Sequence, residues 1–504
     1  MHVRFPCGRR RAMPLVLTIL LNLIFFTFSD YAASSRRAFN DLLPKSHTKP
    51  MPKVPLSLPE ADQLNQAELL EPGFCKDRFD MQYIYDLRDH AIQYCSSGST
   101  STLTCFHSHT QSDNARDSLC IGQGAVLDPK NRRFTLDCEV RQPNQNESSR
   151  GLIPFDSIRG YWYETGPGFL LKRFMTIEGS SQRDLRPDSH YVTNVGNKSP
   201  FTILVKREGH SNIWHCLMEI WSLTMTLDVL RLSPNVVEPQ KPFFTVPEDI
   251  PKAQVIFMDD HKEGPLYPLW QLFAGRKPVR FKEVLEDGNQ SQAFAKTPQN
   301  LILPLAGGSN PIWQNDWEER DCKNAPLLKI FVQRIMQHFG IKYERGRKPT
   351  KSLQITLIDR KGSRKLLQQD ALLRAVRSKF PDLNIQLIDL ATLPFADQIR
   401  IAQTTDVLVG VHGAGLTHTM FMREGATVVE IQPEDMFHKG FRNLAKMIGV
   451  HYVSTHAEMV GAEEDQKSRK RGLVRRDDWH WADIRIEEDR FLELIITAVE
   501  LTQQ

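Results

Sequence analysis

Short apolar runs of strand length alternate with stretches of helical periodicity, which predicts an α/β protein; three observations set its architecture. The alternation runs through two separate parts of the 504-residue chain. A stretch rich in glycine and basic residues, 341–352 (IKYERGRKPTKS), divides them and reads as a surface linker. In the second part the run 407–409 (VLV) leads through a glycine turn and a helical pattern to a second apolar run, 427–431, which is one βαβ unit. Such alternation builds parallel sheets with helices on their faces, so two facing Rossmann-like domains with a cleft between them are expected.

From the N-terminus, residues 13–29 (MPLVLTILLNLIFFTFS) are almost wholly apolar, and Arg4, Arg9, Arg10 and Arg11 precede them. The span is at the short end for a transmembrane helix, and the basic flank predicts a cytosolic tail over 1–12. A cleaved signal peptide competes with this reading, but Asp30 and Tyr31 fit poorly at a cleavage site. A single-pass signal anchor over 13–29 is therefore expected, with the protein's body in the lumen of the endoplasmic reticulum or Golgi apparatus. The C-terminal Leu501-Thr502-Gln503-Gln504 carries no retrieval signal, which favours the Golgi membrane. Residues 30–71, rich in Pro, Ser and charge, read as a flexible stem.

An N-terminal domain over 72–340 follows. Cys75, Cys95, Cys105, Cys120 and Cys138 cluster at its start, with Cys216 and Cys322 further on, which predicts a disulfide-braced β module in an oxidising compartment. Seven cysteines beyond the anchor leave at least one without an internal partner. Asn146 and Asn289 head acceptable N-glycosylation sequons, and Asn197 heads a poorer one followed by Pro200. Strands are expected at 133–136, 161–163, 202–206, 255–258 and 301–305, an amphipathic helix at 213–230 and another helix at 325–339. The C-terminal domain, 341–504, predicts strands at 355–358 and 385–388 and helices at 371–378, 441–448 and 486–501. Lys+Arg 64 against Asp+Glu 60 leaves +4, too balanced for a nucleic-acid binder.

The turn after 407–409 reads Gly410-Val411-His412-Gly413-Ala414-Gly415-Leu416-Thr417-His418. Its glycines let backbone approach a ligand, and the helix start beyond it offers N–H groups to an anion. His418 stands where a dinucleotide fingerprint needs its third glycine, and the two histidines favour a working site over a plain connector. The stretch VGVHGAGLTHTMFMREGATVVEIQP resembles the signature of family 61 glycosyltransferases. The resemblance extends upstream through ADQIRIAQTTD and ITLIDRKGSRKLLQQDALL, and more faintly to NIWHCLMEIWS and Phe281-Lys282-Glu283-Val284. It is strong over 353–433, and what it implies is a B-type glycosyltransferase fold, a UDP-sugar donor, an inverting displacement, and N-acetylglucosamine delivered to Ser or Thr of a secreted or membrane protein. A xylosyltransferase acting on a polysaccharide or N-glycan, or a non-catalytic lumenal scaffold with the same fold, are the rival readings.

Sugar transfer from a nucleotide diphosphate needs positive charge or N–H donors at the leaving group, a base at the acceptor and hydroxyl recognition on the ribose. Arg360 and Arg364, four apart just after a strand end with Ser363 between them, reach the same phosphates if the chain turns into a helix there. The family's arginine pair falls on these two residues. His412, Gly413, Ala414 and Gly415 close over the other side of the diphosphate. Glu430, at its strand end, is placed to accept from ribose hydroxyls. His215 and Glu219, four apart on one helical face, are the candidate base and its orienting partner. Asp259 and Asp260 end another strand without a clean Asp-x-Asp. The arginine pair makes a metal unnecessary for charge balance, although a divalent cation such as manganese is compatible with it. His107 and His109 read as a surface pair, Trp162 as core or a sugar-stacking residue, and 463–476 as a solvated loop. Trp479 and Trp481 are candidates for the border of the acceptor site.

Overall fold

The computed structural model describes residues 71–109, 116–179, 199–272, 274–314, 316–344, 346, 352–461 and 478–504. The expected tail and anchor, nearly all of the stem, the sequon at Asn197 and the loop 463–476 lie outside the described residues. Among the described residues no helix is long and apolar enough to cross a membrane.

Two sheets carry the rest. In the first, β1 (Ala91–Gln93), β2 (Thr102–His107) and β3 (Ser118–Asp128) form an antiparallel meander, and β3 also pairs with β4 (Arg133–Asp137), which runs parallel to β5 (Met175–Glu178). Then β6 (Phe201–Val205), β7 (Ala253–Phe257), β8 (Val279–Arg280) and β9 (Gln299–Leu303) are mutually parallel, in spatial order β9-β6-β7-β8. An antiparallel pairing of β9 with β3 fuses the two parts. The cysteine-rich strands are thus not a separate module; they extend the α/β sheet. Cys105 and Cys120 are register partners on β2 and β3 and are bridged, Cys95 is bridged to Cys138, and Cys75 to Cys322 across 247 residues. Cys216 is free and buried. Asn146 and Asn289 are both exposed.

Helix α1 (Ile213–Leu232) is capped by Asn212, whose side chain accepts from the Trp214 and His215 amides. It was expected to be amphipathic, yet from Trp214 to Leu230 only His215 is more than marginally exposed. The reason is that α1 packs against neighbours on all sides, which also explains its apolar composition. One neighbour is α2 (Pro326–His338): Trp221 stacks on Phe331 at 5.5 Å, and the buried Arg334 guanidinium meets Asp228 at 2.7 and 3.0 Å.

The second sheet holds β10 (Gln354–Ile358), β11 (Asn384–Ile388), β12 (Val407–Val411), β13 (Thr427–Pro433) and β14 (His451–Val460) in parallel, with the short β15 (Asp483–Arg485) antiparallel at the edge. The order β11-β10-β12-β13-β14-β15 reverses direction between β10 and β12. The helices α3 (Gln369–Lys379), α5 (Gly440–Met447) and α6 (Glu488–Gln503) fall where apolar periodicity put them, and α4 (Phe395–Thr404) leads into β12.

Three local expectations give way. Residues 161–163 are not a strand: Tyr161 bridges back to Thr165, and Trp162–Glu164 is a single 3₁₀ turn with Tyr163 and Glu164 at φ +59° and +56°. The helix after Gly413 is a 3₁₀ segment, Ala414–Phe421, whose residues from Leu416 onward are all buried. Packed between the sheet and α1 with no solvent face, it takes the tighter winding. His107 is not on the surface; it lies fully buried between the Tyr94 hydroxyl (3.0 Å) and Ser118 Oγ (2.8 Å).

Candidate functional site

In open parallel sheets, ligands bind beyond the carboxyl ends of the strands, where the strand order reverses. Both sheets have such a point: between β10 and β12 in the second, and between β6 and β9 in the first. Nearly every candidate residue lies at one or the other.

At the β10/β12 point the chain leaves Ile358 and makes bends rather than the helix the sequence suggested. The turn closes when Arg360 Nε donates to the Ser363 carbonyl at 2.9 Å, so Ser363 contributes through its backbone. Arg364 adopts the left-handed φ of +57°, a conformation costly for a side-chain-bearing residue. This folding brings both guanidinium groups onto Gly413. A Cβ there would lie 3.1 Å from Arg364 Nη2 and would collide with Arg360, and the φ of +147° admits only glycine. The arginines and the glycine turn are in direct contact, not on opposite sides of a gap. Neither arginine has a carboxylate partner among the described residues, and Arg364 Nε is buried without a hydrogen bond. Burial lowers both pKa values, and the adjacent Arg360 charge helps push Arg364 down to about 10. Two half-buried cations facing one glycine turn, without a carboxylate beside them among the described residues, suit an anion.

His412, beside this pair, is buried and donates from Nδ1 to Glu430 Oε1 at 2.6 Å. Glu430 is fully buried, and its Oε2 accepts from the Tyr452 hydroxyl at 2.6 Å and from Gln432 at 3.3 Å. Both its oxygens are engaged, so the expected ribose contact gives way to support of His412. Burial would raise the Glu430 pKa, but the bonds from His412 and Tyr452 win and lower it. Burial lowers that of His412 against the pull of Glu430. Ala414 and Gly415 open the 3₁₀ segment, and Gly415 packs against Ile358. His418 does not reach the site: its Nδ1 donates to the Gly415 carbonyl and its Nε2 faces the Gln398 amide, both at 2.7 Å. Trp479 lies beside the arginine pair, with the Arg364 guanidinium 5.3 Å above its ring and His412 5.6 Å away. Trp481 is 79% exposed.

At the β6/β9 point the expected His215–Glu219 pairing is replaced. His215 Nδ1 donates to Glu208 Oε2 at 3.0 Å, while Glu219 Oε1 accepts the Glu208 amide at 2.6 Å. Being four apart on a helix put the two on one side, but Glu219 points down into the sheet end and His215 outward. Glu208 Oε1 and Glu219 Oε2 are both buried with no hydrogen-bond partner. Gly307 lets them close in: a Cβ there would sit 2.8 Å from Glu219 Cγ. Burial, reinforced by Glu208, holds the Glu219 pKa well above the ordinary carboxylate value. Glu208 escaped the sequence reading, although its place three residues beyond β6 was the available signal. Asp259 is locked to the buried Arg207, with Nη2 2.7 Å from Oδ1, and is not available to a metal. Among the described residues no group of three His, Cys, Asp or Glu is arranged to hold one.

The two points face each other through a short aromatic bridge. Trp214, next to His215, packs edge-on to Phe441 at 5.6 Å, and Phe441 lies 5.5 Å from His412. Beside it, Asp316 bonds His438 Nε2 at 3.1 Å, and Arg442 and Lys446 of α5 grip Asp321 at 3.1 and 2.7 Å.

Residues 275–429 match the Glycosyltransferase 61 family. The chain is 34% identical over 342 residues to the EGF domain-specific O-linked N-acetylglucosamine transferase of Mus musculus, covering 66% of this chain and 60% of that protein. It is 27% identical over 264 residues to the Drosophila melanogaster protein of that name, covering 50% of this chain and 44% of that one. With the Beta-1,2-xylosyltransferase of Arabidopsis thaliana it shares 24% over 360 residues, 62% of this chain and 61% of that protein. The chain thus spans less than two thirds of each relative's length. A solved family 9 glycosyl transferase from Veillonella parvula overlays with a TM-score of 0.28 at 9% identity, over 60% of this chain and 98% of that one, too slight a likeness to argue from.

Proposed function

Because this chain belongs to glycosyltransferase family 61, we propose that it is an inverting enzyme moving N-acetylglucosamine from UDP-N-acetylglucosamine to Ser or Thr hydroxyls of secretory-pathway proteins. The observation that carries the reading is the half-buried Arg360–Arg364 pair, two cations without a carboxylate partner among the described residues, set against Gly413. A nucleoside diphosphate supplies the missing negative charge, and charge accumulating on it as the sugar leaves strengthens those contacts. His412 is held beside that leaving group by its Nδ1–H bond to Glu430.

On the acceptor side His215 is the base. Its Nδ1–H is spent on Glu208, which leaves the lone pair on Nε2 to take the acceptor proton. Glu219 does not fill that role: burial and the neighbouring Glu208 favour its neutral form, which is a poor proton acceptor. The hydroxyl oxygen then attacks the anomeric carbon on the face opposite UDP, the carbon–oxygen bond to UDP breaks, and configuration inverts. The arginine pair supplies the counter-charge, so a divalent cation is not required. Three disulfides fit a body folded in an oxidising lumen, and the B-type fold is supported by two sheets whose crevices face each other.

The Arabidopsis thaliana likeness supports a second reading, xylose as the sugar and a glycan as the acceptor. Screening UDP release with each common UDP-sugar separates them. UDP-N-acetylglucosamine turnover increased by a secreted-protein peptide is the expected result. Turnover with UDP-xylose alone overturns the first reading, and no UDP binding at all leaves a non-catalytic scaffold.

A further inference from the structure

Trp162 and Tyr163 are two of the few exposed large hydrophobic side chains, 47% and 58% exposed, and they are consecutive. Both stand beside the candidate base: the Tyr163 ring lies 5.9 Å from His215, Trp313 lies 4.5 Å from His215, and Trp162 lies 5.8 Å from Trp313.

This arrangement is built rather than incidental. Tyr163 and Glu164 both take left-handed backbone conformations, a cost found where surrounding structure enforces a functional geometry. One buried carboxylate, Asp117, holds both limbs. It accepts from the hydroxyl of Tyr161, next to Trp162, and from Gln314 Nε2 at 2.9 Å, next to Trp313. Gly308 supplies the space, since a Cβ there would sit 2.7 Å from the Trp162 ring.

What the turn presents outward identifies its ligand. Several of its backbone groups are spent internally: the Trp162 carbonyl accepts from Thr165 Oγ1 at 3.1 Å, the Tyr163 carbonyl from Lys206 Nζ at 3.2 Å, and the Tyr161 amide donates to the Thr165 carbonyl at 2.9 Å. What remains outward is aromatic surface and the exposed Glu164 carboxylate. A pyranose matches that pair, with C–H groups on one face for the rings and hydroxyls at its rim for a carboxylate.

We infer that Trp162, Tyr163 and Trp313 form a subsite for a pyranose ring beside His215. This rests on the glycosyltransferase reading of the same cleft. The ring is either the sugar being transferred or one already on the acceptor.

The test uses the full chain, as wild type and as Trp162→Ala, Tyr163→Ala and Asp117→Asn, with two readouts. UDP-induced thermal stabilisation reports the arginine side and is expected to be unchanged in Trp162→Ala and Tyr163→Ala. Binding of free N-acetylglucosamine, xylose and N,N′-diacetylchitobiose, followed by tryptophan fluorescence and saturation-transfer NMR, reports the platform. Saccharide binding weakened about tenfold by Trp162→Ala assigns an acceptor sugar. If instead only UDP-N-acetylglucosamine perturbs the fluorescence, and Trp162→Ala raises its KM for acceptor-free UDP release about tenfold, the ring is that of the donor. Asp117→Asn gives a weaker version of either effect. The inference is overturned if UDP binds normally while Trp162→Ala and Tyr163→Ala leave both saccharide and donor affinities unchanged, or if only a sugar-free peptide depends on them. Loss of UDP binding by the wild type sinks the glycosyltransferase reading itself.

Discussion

Replacing Arg364 with Met separates a ligand-binding arginine from a structural one, because the two roles predict opposite signs in the free protein. The guanidinium is pushed down to about 10, first by burial and then by the Arg360 charge. At about 1.4 kcal/mol per tenfold this is roughly 3 kcal/mol, and solvent screening at its partly open face reduces it to about 1 kcal/mol. Methionine keeps the apolar stem and removes the charge, so Arg364→Met is expected to match or exceed wild-type stability without ligand. With UDP the sign reverses. A lost bidentate contact to phosphate is worth about 3 kcal/mol, or roughly a hundredfold in affinity. UDP at a hundred times the wild-type Kd stabilises by about 2.7 kcal/mol, and the same concentration stabilises the variant by only about 0.4 kcal/mol. Scanning calorimetry of both proteins with and without UDP reads both quantities. A variant less stable than wild type that keeps its full UDP response would refute the anion-site argument.

Gly413→Ala places a methyl group against Arg364 Nη2 at a φ of +147°. It is expected to cost about 1–3 kcal/mol in denaturant unfolding and to abolish the UDP response. Because the folded-state pKa of Glu219 is raised, the stability that it contributes is full below the unfolded carboxylate value and is lost as pH rises through the folded one. Glu219→Gln should therefore flatten the alkaline side of the stability–pH curve while leaving turnover near wild type. Glu208→Gln should instead lower kcat and alter its pH profile, because the His215 partner has changed. Replacing Cys75 and Cys322 with Ser opens a cross-link spanning 247 residues, and a loss of up to about 5 kcal/mol is expected in urea titrations.

Most strands and helices were legible because their side-chain periodicity is set by burial on one face, as along β4 and α3. The exceptions are places where burial has no single face. α1 is enclosed on nearly every side, so its pattern shows no amphipathic stripe, and Ala414–Phe421 is squeezed into a 3₁₀ winding. Tyr161-Trp162-Tyr163 reads as a strand by composition, but a turn pinned by Asp117, 44 positions from Tyr161, takes them out of the sheet. The arginine pair and the His412 turn were found from local spacing, since each lies within a few residues of a strand end. Glu208 and the engagement of Glu430 were not, because hydrogen bonds to His215 and Tyr452 form only once separate elements have packed.

The Cys75–Cys322 bridge also fixes where force enters the body. Beside it the Lys323 amide donates to the Glu71 carboxylate at 3.0 Å, and the Arg320 guanidinium covers the Phe74 ring at 4.0 Å. The segment 316–323, gripped at that end, is the same one that reaches across to α5, where Asn443 donates to the Glu318 carbonyl at 2.7 Å. Tension arriving through residues before Glu71 is thus delivered at the seam between the two sheets instead of being borne by one of them. A pull applied at Glu71 therefore loads the Cys75–Cys322 bridge and the 316–323 segment before it loads either sheet.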